Sequence, residues 1–234
     1  MDQILKQYAE LERNNWWYKA RRDLLARILA QLRMHFNNSL DIGCGTGVNY
    51  VVLAQHASNV YGVDIEKNAL LCDKNKGYAE LIHGNAEDLE IDKKFDLIIC
   101  MDVLEHLDDK KAINNLKNKL NKDGVLIVSV PAHMYLWGFN DTFAGHKRRY
   151  EKEEVEQLLG NFTIKKLSYW NQSMFIPALL FCRLKINKNQ QNNLNLVPKG
   201  LNRVLYFIMK MENRFFMKFN LLQGVSIVCV AKNS

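Results

Sequence analysis

Three glycines and two aspartates carry the chemistry most plainly written in this 234-residue chain. Leu40 to Gly47 reads LDIGCGTG, with Gly43, Gly45 and Gly47 alternating with Cys44 and Thr46. Glycines let a backbone turn sharply and approach a ligand with no Cβ in between. A helix that opens after such a turn presents free N–H groups and a partial positive charge, which suits the carboxylate of an amino acid. Asp41 stands just before the turn, where a carboxylate can hold an ammonium group. Asp64 follows Gly47 by 17 residues and can accept hydrogen bonds from two ribose hydroxyls. The plain structural alternative is a tight turn at the glycines and a helix N-cap at Asp64.

These residues act together only if the elements that carry them share one edge. The chain reads as an alternation of short apolar runs and helices. Leu24, Leu25, Ile28, Leu29 and Leu32 recur at helical spacing within a helical first 36 residues. Strands are expected at Ser39 to Ile42, Val60 to Ile65, Glu80 to His83, Phe95 to Met101 and Val125 to Val130, the last stopped by Pro131. Helices are expected from Val48 to His56, from near Glu66, and from Asp109 to Leu120. Continuous apolar strands of this kind lie parallel and are covered by helices on both faces. In such sheets ligands bind beyond the carboxyl ends of the strands, where the glycine turn falls. Past Pro131 a loop runs to Tyr150, then come a helix from Glu151 to Leu159, a strand from Phe162 to Trp170 and a last strand from Val225 to Ala231. Between those two strands lie an apolar run, Met174 to Leu184, a low-complexity polar segment, Asn187 to Asn195, and an amphipathic helix from Leu201 to Leu222.

An amino-acid tail at the loop and a ribose at Asp64 together describe S-adenosylmethionine. The spacing is G-x-G-x-G, whereas a nicotinamide-dependent oxidoreductase would carry G-x-G-x-x-G. The chain resembles the class I S-adenosylmethionine-dependent methyltransferases over Asn37 to Pro131 and at the last strands: LDIGCGTG, VYGVDIE, HGNAEDL and FDLIICMDVLEHL follow that family's motifs in order and spacing. The resemblance implies a Rossmann-like, doubly wound α/β sheet of seven strands, the last antiparallel and inserted beside strand 5. It implies cofactor contacts at Asp41, Gly43, Cys44, Gly45, Thr46 and Gly47, at Asp64 and Ile65, at Asn85, Ala86 and Glu87, and at Met101, Asp102 and Val103. Many members have aspartate where this chain has Asn85, which can also serve simply as a turn residue.

Methyl transfer needs alignment and exclusion of water, and a hydroxyl acceptor also needs a base. His106, His133 and His146 fall on the acceptor side, and His133 or His146 is the expected base. His106 can equally be a structural histidine. The segments NNWWYKARR and PAHMYLWGFNDTFAGHKRRY, with the long insert, resemble a bacterial methyltransferase subgroup marked by H-x-R-R-Y after strand 5. That resemblance implies a sugar-like or other cell-surface biosynthetic acceptor. It makes Trp16, Trp17, Arg21 and Arg22 part of a lid, and gives Arg148, Arg149 and Tyr150 an anionic group on the acceptor. The alternative is that Trp17 packs on the core and Arg149 fixes its loop by a salt bridge.

Composition bounds the rest. Five scattered cysteines with no C-x-x-C suggest reduced thiols in a cytoplasmic protein and no metal site. The polar start shows no secretory signal, and no run is long enough to span a membrane. Residues 147–218 carry 14 Lys/Arg against 5 Asp/Glu, so the net +7 of the chain is +9 there and −2 elsewhere. Such a basic half can face an anionic acceptor, a membrane surface or nucleic acid. No base-amine or cytosine-carbon motif and no nucleic-acid module accompanies it, so nucleic acid is not the expected partner. For the amphipathic helix, packing on the core or on a second subunit is favoured over peripheral membrane contact. One domain is expected: a lid at 1–36, a cofactor-binding core at 37–170, a helical insert at 171–223 and the last strand at 224–234. A non-catalytic S-adenosylmethionine-binding regulator would share every cofactor feature.

Overall fold

The computed structural model describes residues 3–67, 77–183 and 197–234. The helix expected beyond Glu66 and the polar segment Asn187 to Asn195 lie outside the described residues or extend beyond them.

Seven strands form one sheet: β1 Phe36–Ile42, β2 Ala57–Asp64, β3 Glu80–His83, β4 Phe95–Met101, β5 Leu120–Pro131, β6 Phe162–Trp170 and β7 Ser226–Asn233, in the order β3-β2-β1-β4-β5-β7-β6. The first five are parallel. β7 enters antiparallel between β5 and β6, with Val130 opposite Ile227 and Trp170 opposite Ser226. This is the sheet that the resemblance implied.

Strand period explains the two cores. In β4, Ile98 and Cys100 pack on one face and Leu97, Ile99 and Met101 on the other, while Phe95, before a register shift against β5, joins the first face. The first face is covered by α4 (Asp109–Lys119) through Ala112, Ile113 and Leu116, and by α6 (Lys152–Leu158) through Val155. The second is covered by α2 (Trp16–Leu32) through Leu24, Leu25, Ile28 and Leu29, by α3 (Tyr50–Leu53), and by α8 (Lys199–Phe216) through Met209 and Phe216. Both faces are therefore apolar, and strand runs without alternation are the result.

Several local expectations change. The first helix is two, because Asn15 leaves helical geometry and caps α2 with its side chain on the Trp17 N–H; α1 covers Gln3–Asn14. The helix expected at 48–56 shrinks to Tyr50–Leu53. The loop before Tyr150 contains α5 (Phe139–Ala144), and α7 (Phe175–Arg183) occupies the apolar run of the insert. α8 ends at Phe216, six residues before Leu222. Among the described residues no helix is long and apolar enough to cross a membrane.

One buried residue ties the insert to the start of the chain. Trp170 Nε1 donates to Asn213 Oδ1 at 2.7 Å, and Asn213 Nδ2 donates to the Ala20 carbonyl at 2.8 Å and to Asp23 Oδ2 at 2.9 Å. Asn213→Ala leaves the buried Trp170 indole N–H without its acceptor and cuts the link from α8 to α2. It is expected to lower unfolding free energy by about 2–4 kcal/mol in a denaturant titration; an unchanged midpoint and slope would remove this role.

Candidate cofactor and acceptor site

The glycine turn lies at the carboxyl end of β1, between β2 and β4. Gly43 has φ +69° and Gly45 φ +51°, values that L side chains rarely adopt. At Gly43 an added Cβ would lie 2.4 Å from Val103 Cγ2, so the turn seats directly on the segment after β4. The Gly45 N–H donates to Asp64 Oδ2 at 2.7 Å, while Asp64 Oδ1 accepts from the Glu66 N–H at 2.8 Å. The expected amino-acid cradle and the expected ribose carboxylate are thus direct neighbours. An added Cβ at Gly45 would meet only the Glu12 carboxylate, at 3.3 Å. That cradle is free of side chains from its own loop, and it fits a ligand that needs close backbone approach.

Asp41 is placed differently from its expected role. It is fully buried beneath the turn, where it accepts from Asn49 Nδ2 at 3.2 Å and from the Tyr78 hydroxyl at 2.9 Å. Burial pushes its pKa up to about 7, against the opposing pull of those two hydrogen bonds. Cys44 and Thr46 are also buried. The Thr46 hydroxyl donates to Glu12 of α1, a residue that no sequence signal singled out.

The remaining cofactor candidates line the same edge. Ile65 is exposed. Asn85 Oδ1 accepts from the Glu87 N–H at 3.0 Å, and so makes a turn; Ala86 is buried; Glu87 Oε1 accepts from the Asp108 N–H at 2.8 Å. Met101 is buried at the end of β4. Asp102, at φ +59°, accepts from Arg21 Nη1 at 2.6 Å and from the Ser129 hydroxyl at 2.8 Å. Arg21 belongs to α2, and its guanidinium is buried against that acid. Trp17 packs on Trp170 with ring centroids 5.2 Å apart, and Arg22 donates to the Glu12 carbonyl at 2.6 Å. The N-terminal helices therefore lie over the glycine turn and the end of β4.

The histidines divide into two places. His106 and His146 stand edge to face, with ring centroids 4.8 Å apart. Glu105 joins them: it is 1% exposed, neither carboxyl oxygen has a hydrogen-bond partner, and Oε1 lies 3.8 Å from His146 Nε2. Burial, then the Asp102 charge, holds its pKa well above the usual carboxylate range. His106 is shifted down by burial and by its histidine neighbour. Ligand atoms of Glu105, His106 and His146 lie within 4.8 Å of one another, a set able to hold a divalent cation. His133 sits apart, buried between Tyr135 and Tyr169, with Nδ1 2.8 Å from Glu151 Oε2 and Nε2 unpartnered.

Asp141 is the second residue that sequence reasoning missed. It is buried, and its Oδ1 lies 2.9 Å from His146 Nδ1. Arg149 grips the same carboxylate, Nε to Oδ1 at 2.8 Å and Nη2 to Oδ2 at 3.0 Å, and the Gly138 N–H donates to Oδ2 at 2.8 Å. Burial alone would raise the pKa of Asp141, but its bonds with His146 and Arg149 hold it below the ordinary value. Arg149 is thus committed to its own loop. Tyr150 is buried and donates to Asp109 Oδ2 at 3.0 Å; Arg148 pairs with Asp109 at 3.3 Å and with Glu154 at 2.5 Å. Each of the three is thus bonded to an acid of its own chain.

Comparison with known proteins agrees with this geometry. A family model described as a methyltransferase domain matches residues 40–128. The ubiquinone biosynthesis O-methyltransferase of Rickettsia typhi is 30% identical over 145 residues, covering 53% of this chain and 58% of the relative. That of Coxiella burnetii is 32% identical over 112 residues, covering 45% and 48%. The chain spans about half the length of these curated relatives. Among solved structures, an S-adenosylmethionine-dependent methyltransferase from Clostridium acetobutylicum superposes with TM-score 0.62 at 17% identity, over 97% of this chain and 98% of that one. The N-methyltransferase NodS from Bradyrhizobium japonicum, in complex with S-adenosyl-L-homocysteine, gives TM-score 0.60 at 16% identity, over 96% and 90%. At these identities the likeness is one of fold. The chain has the Rossmann-like class I fold. Within it, the glycine turn, the end of β2 and the whole of β4 fall inside the residues, 40–128, that match the methyltransferase-domain model.

The buried Asp41 has a measurable consequence. In the unfolded chain its carboxyl loses its proton near the ordinary value of 3.8, whereas the folded protein holds it to about 7. The stability this contributes is full below the lower value and is lost as pH rises through the upper one. Asp41→Asn stays neutral throughout, so between about pH 4 and pH 8 wild type should lose up to about 4 kcal/mol relative to the variant in paired denaturant titrations. A pH-independent difference would show that Asp41 ionises normally.

Proposed function

We propose that this chain is an S-adenosylmethionine-dependent methyltransferase that methylates an oxygen of a small, sugar-like or other cell-surface biosynthetic acceptor, with His146 as the base. The hydrogen bond from the Gly45 N–H to Asp64 carries the cofactor reading: it makes the loop for an amino-acid carboxylate contiguous with the carboxylate for a ribose. Asp64 and Ile65 would take the ribose, Asn85, Ala86 and Glu87 the adenine edge, and Gly43 to Gly47 with Met101, Asp102 and Val103 the remainder. Asp41 would support the turn from beneath. Residues 1–36 would act as the lid, 37–170 as the core, and 171–223 as the insert of a single domain that closes with 224–234.

When bound, the cofactor supplies a methyl group on a positively charged sulfur, already activated for displacement. His146 would accept the proton of the acceptor hydroxyl at Nε2 while Asp141 fixes the ring through Nδ1. Arg149 and the Gly138 N–H keep Asp141 ionised and in place, so Arg149 serves the reaction as a positioning residue. Trp17 and Arg21 of the lid would exclude water over Asp102. The names of the ubiquinone-biosynthesis relatives support oxygen as the acceptor atom.

Calorimetric titration of the folded protein should show uptake of S-adenosylmethionine and none of NAD. Asp64→Ala should weaken that uptake roughly 10- to 100-fold. No uptake by the wild type at millimolar excess overturns the assignment. With an acceptor in hand, His146→Ala should lower kcat by about 10²- to 10⁴-fold. Asp141→Asn should lower kcat less and shift its pH profile while leaving S-adenosylmethionine affinity intact. Full turnover in His146→Ala with an unchanged profile, and its loss in His133→Ala, would move the role to His133.

A further inference from the structure

The long helix of the insert uses only half of its apolar surface against the core. Met209, Asn213 and Phe216 are buried on one side. Leu201, Val204, Ile208, Met211 and Phe215, spaced three and four apart, form a second row that is open to solvent, with Phe207 at its margin. Val204 is 55% and Phe207 63% exposed, and the row continues past the helix through Phe219 and Leu222. Single exposed apolar side chains are ordinary, but a contiguous row along a whole helix marks an interaction surface.

A third row completes the pattern. Arg203, Lys210 and Arg214 are exposed beside the apolar row and pair with no acid among the described residues. The single acid of α8, Glu212, lies on the other flank of the apolar row, where it accepts from the Gln172 N–H at 3.0 Å and from the Ser173 N–H and hydroxyl at 2.9 and 2.6 Å. The flank that carries Arg203, Lys210 and Arg214 is therefore wholly positive, within the part of the chain that carries the positive excess.

We propose that this face of α8 docks on an anionic lipid surface, its apolar row entering the boundary between headgroups and acyl chains and its basic row pairing with lipid phosphates. Apolar residues flanked by lysine and arginine are what an interfacial helix requires. Charge selects the occupant. A second copy packed antiparallel along α8 about a two-fold axis would bring one positive row against another. A nucleic acid would pair with the basic row but leave the apolar row in water. Docking of this kind needs no membrane-spanning helix, and it stands independently of the methyl-transfer reading.

Full-length protein should co-sediment with vesicles of phosphatidylglycerol mixed with phosphatidylcholine and stay in solution with phosphatidylcholine alone, and high salt should weaken the binding. Lys210→Gln with Arg214→Gln should weaken it roughly 25-fold, about fivefold for each charge. Phe207→Ser with Met211→Ser should abolish it, while both double variants keep the wild-type melting temperature and S-adenosylmethionine uptake. Absence of wild-type binding to the anionic vesicles overturns the proposal, as does binding that both double variants retain. A dimer by light scattering that Phe207→Ser with Met211→Ser dissolves, without vesicle binding, assigns the face to a second copy.

Discussion

At Gly43 the backbone passes so near Val103 that no side chain fits between them, and much of the site follows from that contact. It requires a positive φ after β1 and a small residue there, and it presses the glycine turn against the segment leaving β4. Three parallel strands, β2, β1 and β4, end side by side because their ladders are in register, with Ile42 opposite both Val63 and Cys100. Gly45 and Asp64 then come within hydrogen-bond reach, and Glu105 and His106 emerge two and three residues past Val103.

Buried charge is concentrated at this edge, and the structure handles it in three ways. Arg21 and Asp102 neutralise each other directly, which joins the N-terminal helices to β4. Asp141 is surrounded by donors, so its charge is kept and passed on as orientation to His146. Glu105 and Asp41 have too little compensation, and burial favours their neutral forms. Perturbed carboxyls beside a carboxylate-paired histidine are the pattern of a working site, because a protein that needed only stability would replace them with apolar side chains.

The insert between β6 and β7 links this edge to the outside of the molecule. Asn213 fastens α8 to α2 and β6, and Glu212 fastens it to the turn that opens α7. With two polar side chains making those connections, the apolar surface of the helix is not consumed by packing. α7 in turn brings the Phe175 ring to 5.7 Å from that of His133, which joins the insert to the segment after β5.

The strand alternation, the glycine turn and the acid at the end of β2 were legible in the residues alone because each depends on local chemistry: apolar runs that must be buried on two faces, a backbone that must turn, an acid a fixed distance along one βα unit. β3, β4 and β6 appear where their apolar runs placed them. Contacts between residues far apart in the chain were not legible. Glu12 meets Thr46, 34 residues further on, only after the chain has folded back, and nothing in its neighbours marks it. For Arg149 the residues alone left two roles open, an anionic group on the acceptor or a salt bridge within its loop, and the fold places its guanidinium on Asp141. The amphipathic helix showed its period but not its partner, since periodicity reports that a face is apolar and only packing decides which part of it meets the core.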